Sequence, residues 1–296
     1  TRKSQLYSTR RADEPRCRAL SQYHHGVILI VAAAVAYSTA GLFTKGVAAG
    51  SWDVIFWRGL FAAAFTTFLT VKQRALRQNF IGMGRSGWAV AVVGALGTAA
   101  FIPAFKLTTI ANVSLIYAAS PLIAALLAWL TIGEKPSPAT ILGCLGALLG
   151  VAIIVSGSFG QAHLLGDILA LFMTTAMASI MVIYRKFPQT PSAGPAALQS
   201  VLLLPFAATL GGPFDVSNAE ISILAAFGLL FAVASLCLAE GAKRVPSGQT
   251  ALLSSLETPL APIFAFIWFS ETPNTATLIG GAVVLLAVLA SARARR

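Results

Sequence analysis

The chain has 296 residues, 57% of them hydrophobic and only 10% charged, where an ordinary soluble domain carries about 25% charge. That deficit excludes a water-facing globular fold. The net charge of +11 would suit nucleic-acid binding, but the Lys and Arg residues fall in short clusters between apolar runs and no helix-turn-helix or RNA-binding signature accompanies them, so nucleic acid is excluded as a partner.

Residues 1–26 are polar and basic. They contain no apolar core followed by a small-residue cleavage site, so they read as a short, disordered, basic cytoplasmic tail and not as a secretory signal. His24 and His25 close this tail. Two adjacent histidines without further ligands do not make a metal site, and neither a metal nor a cofactor is expected. Cys17, Cys144 and Cys237 have no redox or metal-ligand spacing, and an odd number argues against a disulfide framework.

A helix needs about 20 mostly apolar residues to cross a bilayer, where its backbone must satisfy its own hydrogen bonds. Ten runs are read as spans: 27–47, 53–71, 87–106, 110–132, 139–157, 164–185, 194–211, 220–240, 247–269 and 274–291. The connections are mostly short, so consecutive spans are expected to be antiparallel neighbours. The reading is an all-α membrane protein of ten transmembrane helices. It divides into one half over 27–157, a second over 164–291 and a basic C-terminal tail over 292–296.

Orientation follows from the basic residues. With the N-terminus inside, the inner side receives the basic tail, Lys72, Arg74, Arg77, Arg85, Lys135, Arg185, Lys186, Lys243, Arg244 and the C-terminal arginines. Of the 21 Lys and Arg residues, only Lys45, Arg58 and Lys106 fall on the other side. Both termini are therefore expected in the cytoplasm.

An internal repeat gives the most specific signal. Phe105–Glu134 aligns with Ala242–Glu271 at a constant offset of 137 residues. Lys106 meets Lys243, Ser120 meets Glu257, and Glu134 meets Glu271. Each copy is a proline-bearing apolar helix that ends in an acidic residue and a proline. Five spans per half is odd, so the second copy must enter the membrane inverted, an arrangement suited to alternating access around a midplane site.

The run Ala111-Asn112-Val113-Ser114-Leu115-Ile116-Tyr117-Ala118-Ala119-Ser120-Pro121, continued by Ala125 to Glu134, resembles the fourth helix of EamA-domain transporters of the drug/metabolite transporter superfamily. Ser255-Leu256-Glu257 with Glu271 is similar to that family's ninth helix. Tyr37-Ser38 through Lys45 and Trp57-Arg58 fit its first two. The chain departs from the family at Thr258, where proline is usual, and at Tyr37, where tryptophan is common. The resemblance implies ten helices, a central cavity between the halves and export of amino acids or related metabolites across a bacterial inner membrane. YddG-type amino acid exporters are a similar type. A small-molecule substrate and the lipid bilayer are the implied partners, and the chain acts as a monomer or a homodimer.

Glu257 is the sharpest candidate. A carboxylate near the bilayer's middle costs several kcal/mol unless paired, protonated or wetted, so Glu257 reads as a cavity group for a substrate amine or a proton, or as a carboxyl bonded to a neighbouring helix. Thr258, Pro259 and Pro262 follow it, and Ser120-Pro121 is the counterpart in the other half. Proline leaves a carbonyl free one turn earlier. Tyr117 and Ser120 share a helix face. Tyr37 and Ser38 form a polar step in the first span, with Thr39 read as interhelical glue. Trp57, Phe101 and Tyr184 complete the candidate wall, each with an alternative as anchor, core or lipid contact. Arg58 is expected to be structural, snorkelling or bonding to Asp53 or helix ends. Glu240 with Lys243 reads as a surface ion pair or a gate, Glu134 and Glu271 as helix terminators, and Gly146 with Gly150 as a packing stripe.

The competing functions are drug or quaternary-ammonium efflux, sugar-phosphate or nucleotide-sugar carriage, a channel, and a membrane-embedded enzyme. An enzyme would need an acid pair, a Ser/His or His/Glu set or a bound metal within the spans, and Glu257 is the lone midspan acid. No Walker motif is present.

Overall fold

A computed structural model of the chain describes residues 2–107, 113, 116–155, 164–270 and 275–293. Among these residues there is no β-strand. Helix α1 runs from Arg2 to Ser38. The basic segment expected to be disordered is thus helical from Arg2 onward. Its Arg, Gln, Leu and Ala residues are good helix formers, and the apolar stretch Leu20–Ser38 supplies a nucleus for extension toward the N-terminus.

The hydroxyls of Ser38 and Thr39 bond back to the carbonyls of Val35 and Ala36 at 2.6 and 2.7 Å. Such back-bonding competes with the helix ladder, and the chain restarts as the short helix α2, Ala40–Lys45. Helix α3 is Ser51–Lys72, and its entry is held by the Gly50 N–H donating to Asp53 at 3.1 Å. A π-helical turn, Arg77–Ile81, leads to α4, Gly84–Leu107. Next come α5, Ser120–Ile132, and α6, Pro138–Val155.

The second half holds α7, Leu164–Lys186, and α8, Ala193–Leu210. A 3-10 turn, Pro213–Asp215, precedes α9, Asn218–Ala242. Ser217 caps α9 by accepting from the Glu220 N–H, a Ser-x-x-Glu pattern that satisfies donors at the helix start. The span read over 247–269 is broken. It consists of α10, Ser247–Ser254, and α11, Glu257–Phe269. Pro259 has no N–H for the Ser255 carbonyl, which takes the Thr258 N–H at 3.1 Å instead. Helix α12 is Thr275–Arg293.

The two copies of the repeat match closely in backbone. Ser120 opens α5 and Glu257 opens α11, each 13 residues long. Gly133 ends the first at φ 70° and Ser270 ends the second at φ 55°, both left-handed. These caps terminate the helices, a role expected of Glu134 and Glu271. Glu271 itself lies outside the described residues.

Among the described residues, six helical stretches are long and apolar enough to cross a membrane, the stretch Ser247–Trp268 over α10 and α11 among them, and Ser120–Ile132, Pro138–Ile154 and Leu278–Ser291 are shorter apolar helices. The interior is rich in alanine, with Ala33, Ala34, Ala104, Ala124, Ala170 and Ala234 all at 1% exposure or less. Small residues let helices approach closely where lipid supplies no hydrophobic drive between them. Large apolar side chains face outward instead, as at Leu142, Leu286 and Trp268.

The helix pairings have a two-fold pattern. Exchanging the halves turns α1 against α9 into α7 against α4, and α3 against α9 into α8 against α4. Likewise α5 against α7 becomes α10 and α11 against α1. The pairs α3 with α8 and α6 with α12 map onto themselves. The last pair is the tightest. A Cβ on Gly150 would stand 2.7 Å from the Gly280 carbonyl oxygen, and one on Gly143 would stand 2.8 Å from Leu252 and Ser291 side chains. Gly146 meets Ala287 in the same way, so the glycine stripe does pack helices.

Candidate functional site

The site is built where α10 packs against α5 and, with α11, against α1. The turn between α10 and α11 sets Glu257 on the first turn of α11, about 15 Å along the span from Ser247 at 1.5 Å per residue. The turn Ala118-Ala119 precedes α5, where Pro121 has no N–H for the Tyr117 carbonyl. Tyr117 lies one residue before this turn, and its side chain hydrogen-bonds Glu257. An acidic group at a helix N-terminus is favoured by the dipole, so the position steadies a charge that its depth opposes.

Tyr37 enters from the end of α1. Its phenol pairs with Ser235 Oγ at 2.8 Å, and its ring meets Phe231 edge-on at 5.7 Å. The charges of Glu257 and Arg58 both act on this phenol. Tyr37 and Tyr117 are therefore both within electrostatic reach of Glu257. Ser120 and Pro121, shortly after Tyr117 in the chain, are buried at the start of α5. Thr258 is half-buried next to Glu257, and Pro259 packs against Gly281 of α12.

Other candidates are committed elsewhere. Ser38 is buried and bonds its own helix. Trp57 donates its indole N–H to the Pro213 carbonyl at 2.8 Å and stacks on Phe61, which ties α3 to the 3-10 turn. Phe101 is 47% exposed. Tyr184 is buried in a cluster with Val90, Met181 and Ala239, and Lys243 Nζ stands 5.6 Å from its ring. The side chains of Lys45, Phe105 and Lys106 lie outside what the structure describes, as does His163.

Arg58 differs from expectation. Asp53 does not hold it: that carboxylate accepts from the Gly50 and Gly212 N–H groups at 3.1 and 2.7 Å. The Arg58 guanidinium instead lies 4.3 Å from the Phe231 ring centre and 5.6 Å from that of Phe227. Its Nε is buried without a hydrogen-bond partner. Cation–π contact recovers up to about 2 kcal/mol, against several kcal/mol for taking a lone charge from water. A recess here is lined by Arg58, Thr98, Gln199, Ser200 and Phe231. The sequence carried a signal for Arg58, since a charge inside a span is a functional candidate by default. Nothing in the sequence pointed to Phe231, which reads as one more apolar residue of its span.

Polar ties close one end of the bundle. Glu134 takes Arg185 Nε at 2.9 Å with one oxygen and the Ser247 N–H at 3.0 Å with the other. Glu240 pairs with Lys243 at 2.5 Å and Arg244 at 2.7 Å, and Ser192 donates to it. Glu134 thus joins the ends of α5, α7 and α10. Glu134→Ala removes a helix-capping acceptor as well as an ion pair, and should lower stability by about 1–2 kcal/mol. Glu134→Gln, which keeps an acceptor, should lose less. Thermal unfolding in detergent measures both, and equal melting of all three proteins would contradict the capping role.

The EamA-like transporter family matches residues 24–156 and again 164–293. The chain is 26% identical to a Bacillus subtilis (strain 168) protein named an uncharacterized transporter, YyaM, over 79% of this chain and 81% of the relative. A solved crystal structure shares the fold with a TM-score of 0.76 at 20% identity, over 91% of this chain and 96% of that one. With two successive matches spanning nearly its whole length, the chain belongs to the EamA-like transporter family and is a multi-pass membrane transporter, not an enzyme.

Proposed function

We propose that the chain exports small amphiphilic metabolites, neutral and aromatic amino acids foremost, across a bacterial inner membrane by alternating access between its two halves. The observation that carries this reading is Glu257. It is a carboxylate on the first turn of a half-helix, bonded by Tyr117 and within electrostatic reach of Tyr37. That set offers an acceptor for an ammonium group and aromatic faces for an apolar side chain. The paired helix breaks at Ser120 and Glu257 supply the discontinuous helices on which transporter sites are commonly built.

Ten spans, inverted halves and both termini inside complete the proposal. The polar ties support it. Glu134 with Arg185 and Ser247, Ser86 with Thr190, and Tyr23 with Gln249 each join segments that the basic residues put on the inner side. Trp57 with Pro213 and the Ala48 N–H with Glu220 each join segments on the outer side. In a chain with its own cysteines replaced by serine, Asp215→Cys should react with an impermeant maleimide on intact cells. Arg74→Cys should react only after permeabilisation, and the reverse pattern would contradict the orientation.

A quaternary ammonium would suit Glu257 and the tyrosines by the same chemistry, so the decisive experiment is a panel. Proteoliposomes loaded with labelled neutral amino acids should release them faster than protein-free vesicles. Release of quaternary ammonium compounds alone would move the assignment to drug efflux, and release of neither would remove the exporter reading.

A further inference from the structure

The recess around Arg58 is separate from Glu257 and has an unusual balance of groups. Arg58 Nε is buried and has no partner. Gln199 donates one amide hydrogen to Thr98 Oγ1 at 3.3 Å, which leaves its second amide hydrogen and the Thr98 hydroxyl hydrogen for another acceptor. Ser200 and Phe231 complete the lining. No carboxylate is among the lining residues, and Asp53, five residues before Arg58, is held by two backbone N–H groups. The recess has donors and a cation, with room for a water-sized group. Arg58 lies about 10 Å along α3 from Ser51, so water does not reach its charge as it reaches a loop's.

From this we infer that Arg58, with Thr98 and Gln199, receives the carboxylate of the transported solute. A guanidinium fork matches a carboxylate in shape and charge. The Tyr37 ring meets Phe231, over which Arg58 lies, and Tyr37 is within electrostatic reach of Glu257. A solute with an ammonium group toward Glu257 and a carboxylate toward Arg58 would span the two across that aromatic pair. The inference rests on the exporter reading for its substrate and specifies why the cargo is zwitterionic. A simple amine would satisfy Glu257 and leave Arg58 unpaired.

The test uses purified full-length protein in detergent and four probes: phenylalanine, phenylalaninamide, benzoate and benzamide, with ligand-induced thermal stabilisation as the readout. Wild type should bind each acid at least about tenfold more tightly than its amide, the size of one charge-assisted hydrogen bond. Arg58→Gln should abolish that preference while leaving phenylalaninamide affinity within about twofold, well under one such bond, and Arg58→Lys should retain part of it. A merely structural arginine would weaken acid and amide alike. If Arg58→Gln fails to fold, the wild-type acid-to-amide ratios still decide. Equal binding of acid and amide by wild type, or an undiminished preference in Arg58→Gln, overturns the inference. Benzoate bound through Arg58 with no phenylalanine binding would uphold the carboxylate site and defeat the amino acid reading alone.

Discussion

Gly150→Val should leave little correctly assembled protein. The crossing of α6 and α12 puts a Cβ at residue 150 only 2.7 Å from the Gly280 carbonyl oxygen and 2.9 Å from the Val284 nitrogen. Backbone atoms cannot swing aside as a flexible side chain can, so the helices must separate. Overpacking a fitted interior costs about 1–3 kcal/mol when side chains can adjust, and the upper end applies here because backbone is met on the facing helix. Leu149→Val is the control, since Leu149 is 59% exposed on the outer surface of α6. Size-exclusion profile and melting temperature in detergent measure the effect. Gly150→Val melting like Leu149→Val would mean that the two helices are not in this contact. The glycine at 280 faces the Gly150 carbonyl oxygen still more closely, so Gly280→Val should behave the same way.

Glu257→Gln should abolish most transport while leaving folding intact. Glutamine preserves size and an acceptor for the Tyr117 hydroxyl, so the contact that positions the side chain survives. What disappears is the negative charge at the head of α11. A hydrogen bond to a charged group contributes about 1.5–3 kcal/mol, so loss of the charge should slow export of an ammonium-bearing solute about 10- to 100-fold. Tyr117→Phe should have a smaller effect, because it removes one donor and leaves the carboxylate. Initial efflux rates from proteoliposomes matched for incorporated protein measure this. Wild-type rates in Glu257→Gln would take the site away from residue 257.

The all-helical membrane class and its two repeats were legible because membrane physics restricts the options. Apolar run length and the 137-residue repeat need no tertiary information. Ser120 and Glu257 align in the repeat and each begins a half-helix, although the sequence left the breaking point open. Glu257 stood out because a lone acid deep in a span is expensive, and Tyr117 followed from sharing a span with the repeat partner of that acid.

What could not be read depends on contacts between distant segments. Ser38 looks like a cavity group and Thr39 like interhelical glue, yet a hydroxyl has a nearby carbonyl within its own helix at no cost in long-range order, and both take it. Trp57 looks like a cavity wall, but its indole N–H finds Pro213, 156 residues away. Arg58 shows the same limit in reverse. Asp53, about one and a half turns away on the same helix, seemed its natural partner, but the Gly212 N–H takes that carboxylate from the second half. Only the meeting of α3 with α9 reveals that Phe227 and Phe231 lie beneath the guanidinium. Glu134 likewise reads as a loop residue until α7 and α10 are placed beside it.

The central claim is that one solute site between the halves is open to each side of the membrane in turn. Counterflow tests this most directly. Proteoliposomes preloaded with unlabelled phenylalanine and diluted into a trace of labelled phenylalanine should accumulate label transiently above equilibrium, because outgoing cargo returns the site to face the tracer. Labelled phenylalanine, leucine and the other neutral amino acids that equilibrate with no overshoot beyond protein-free vesicles would contradict it.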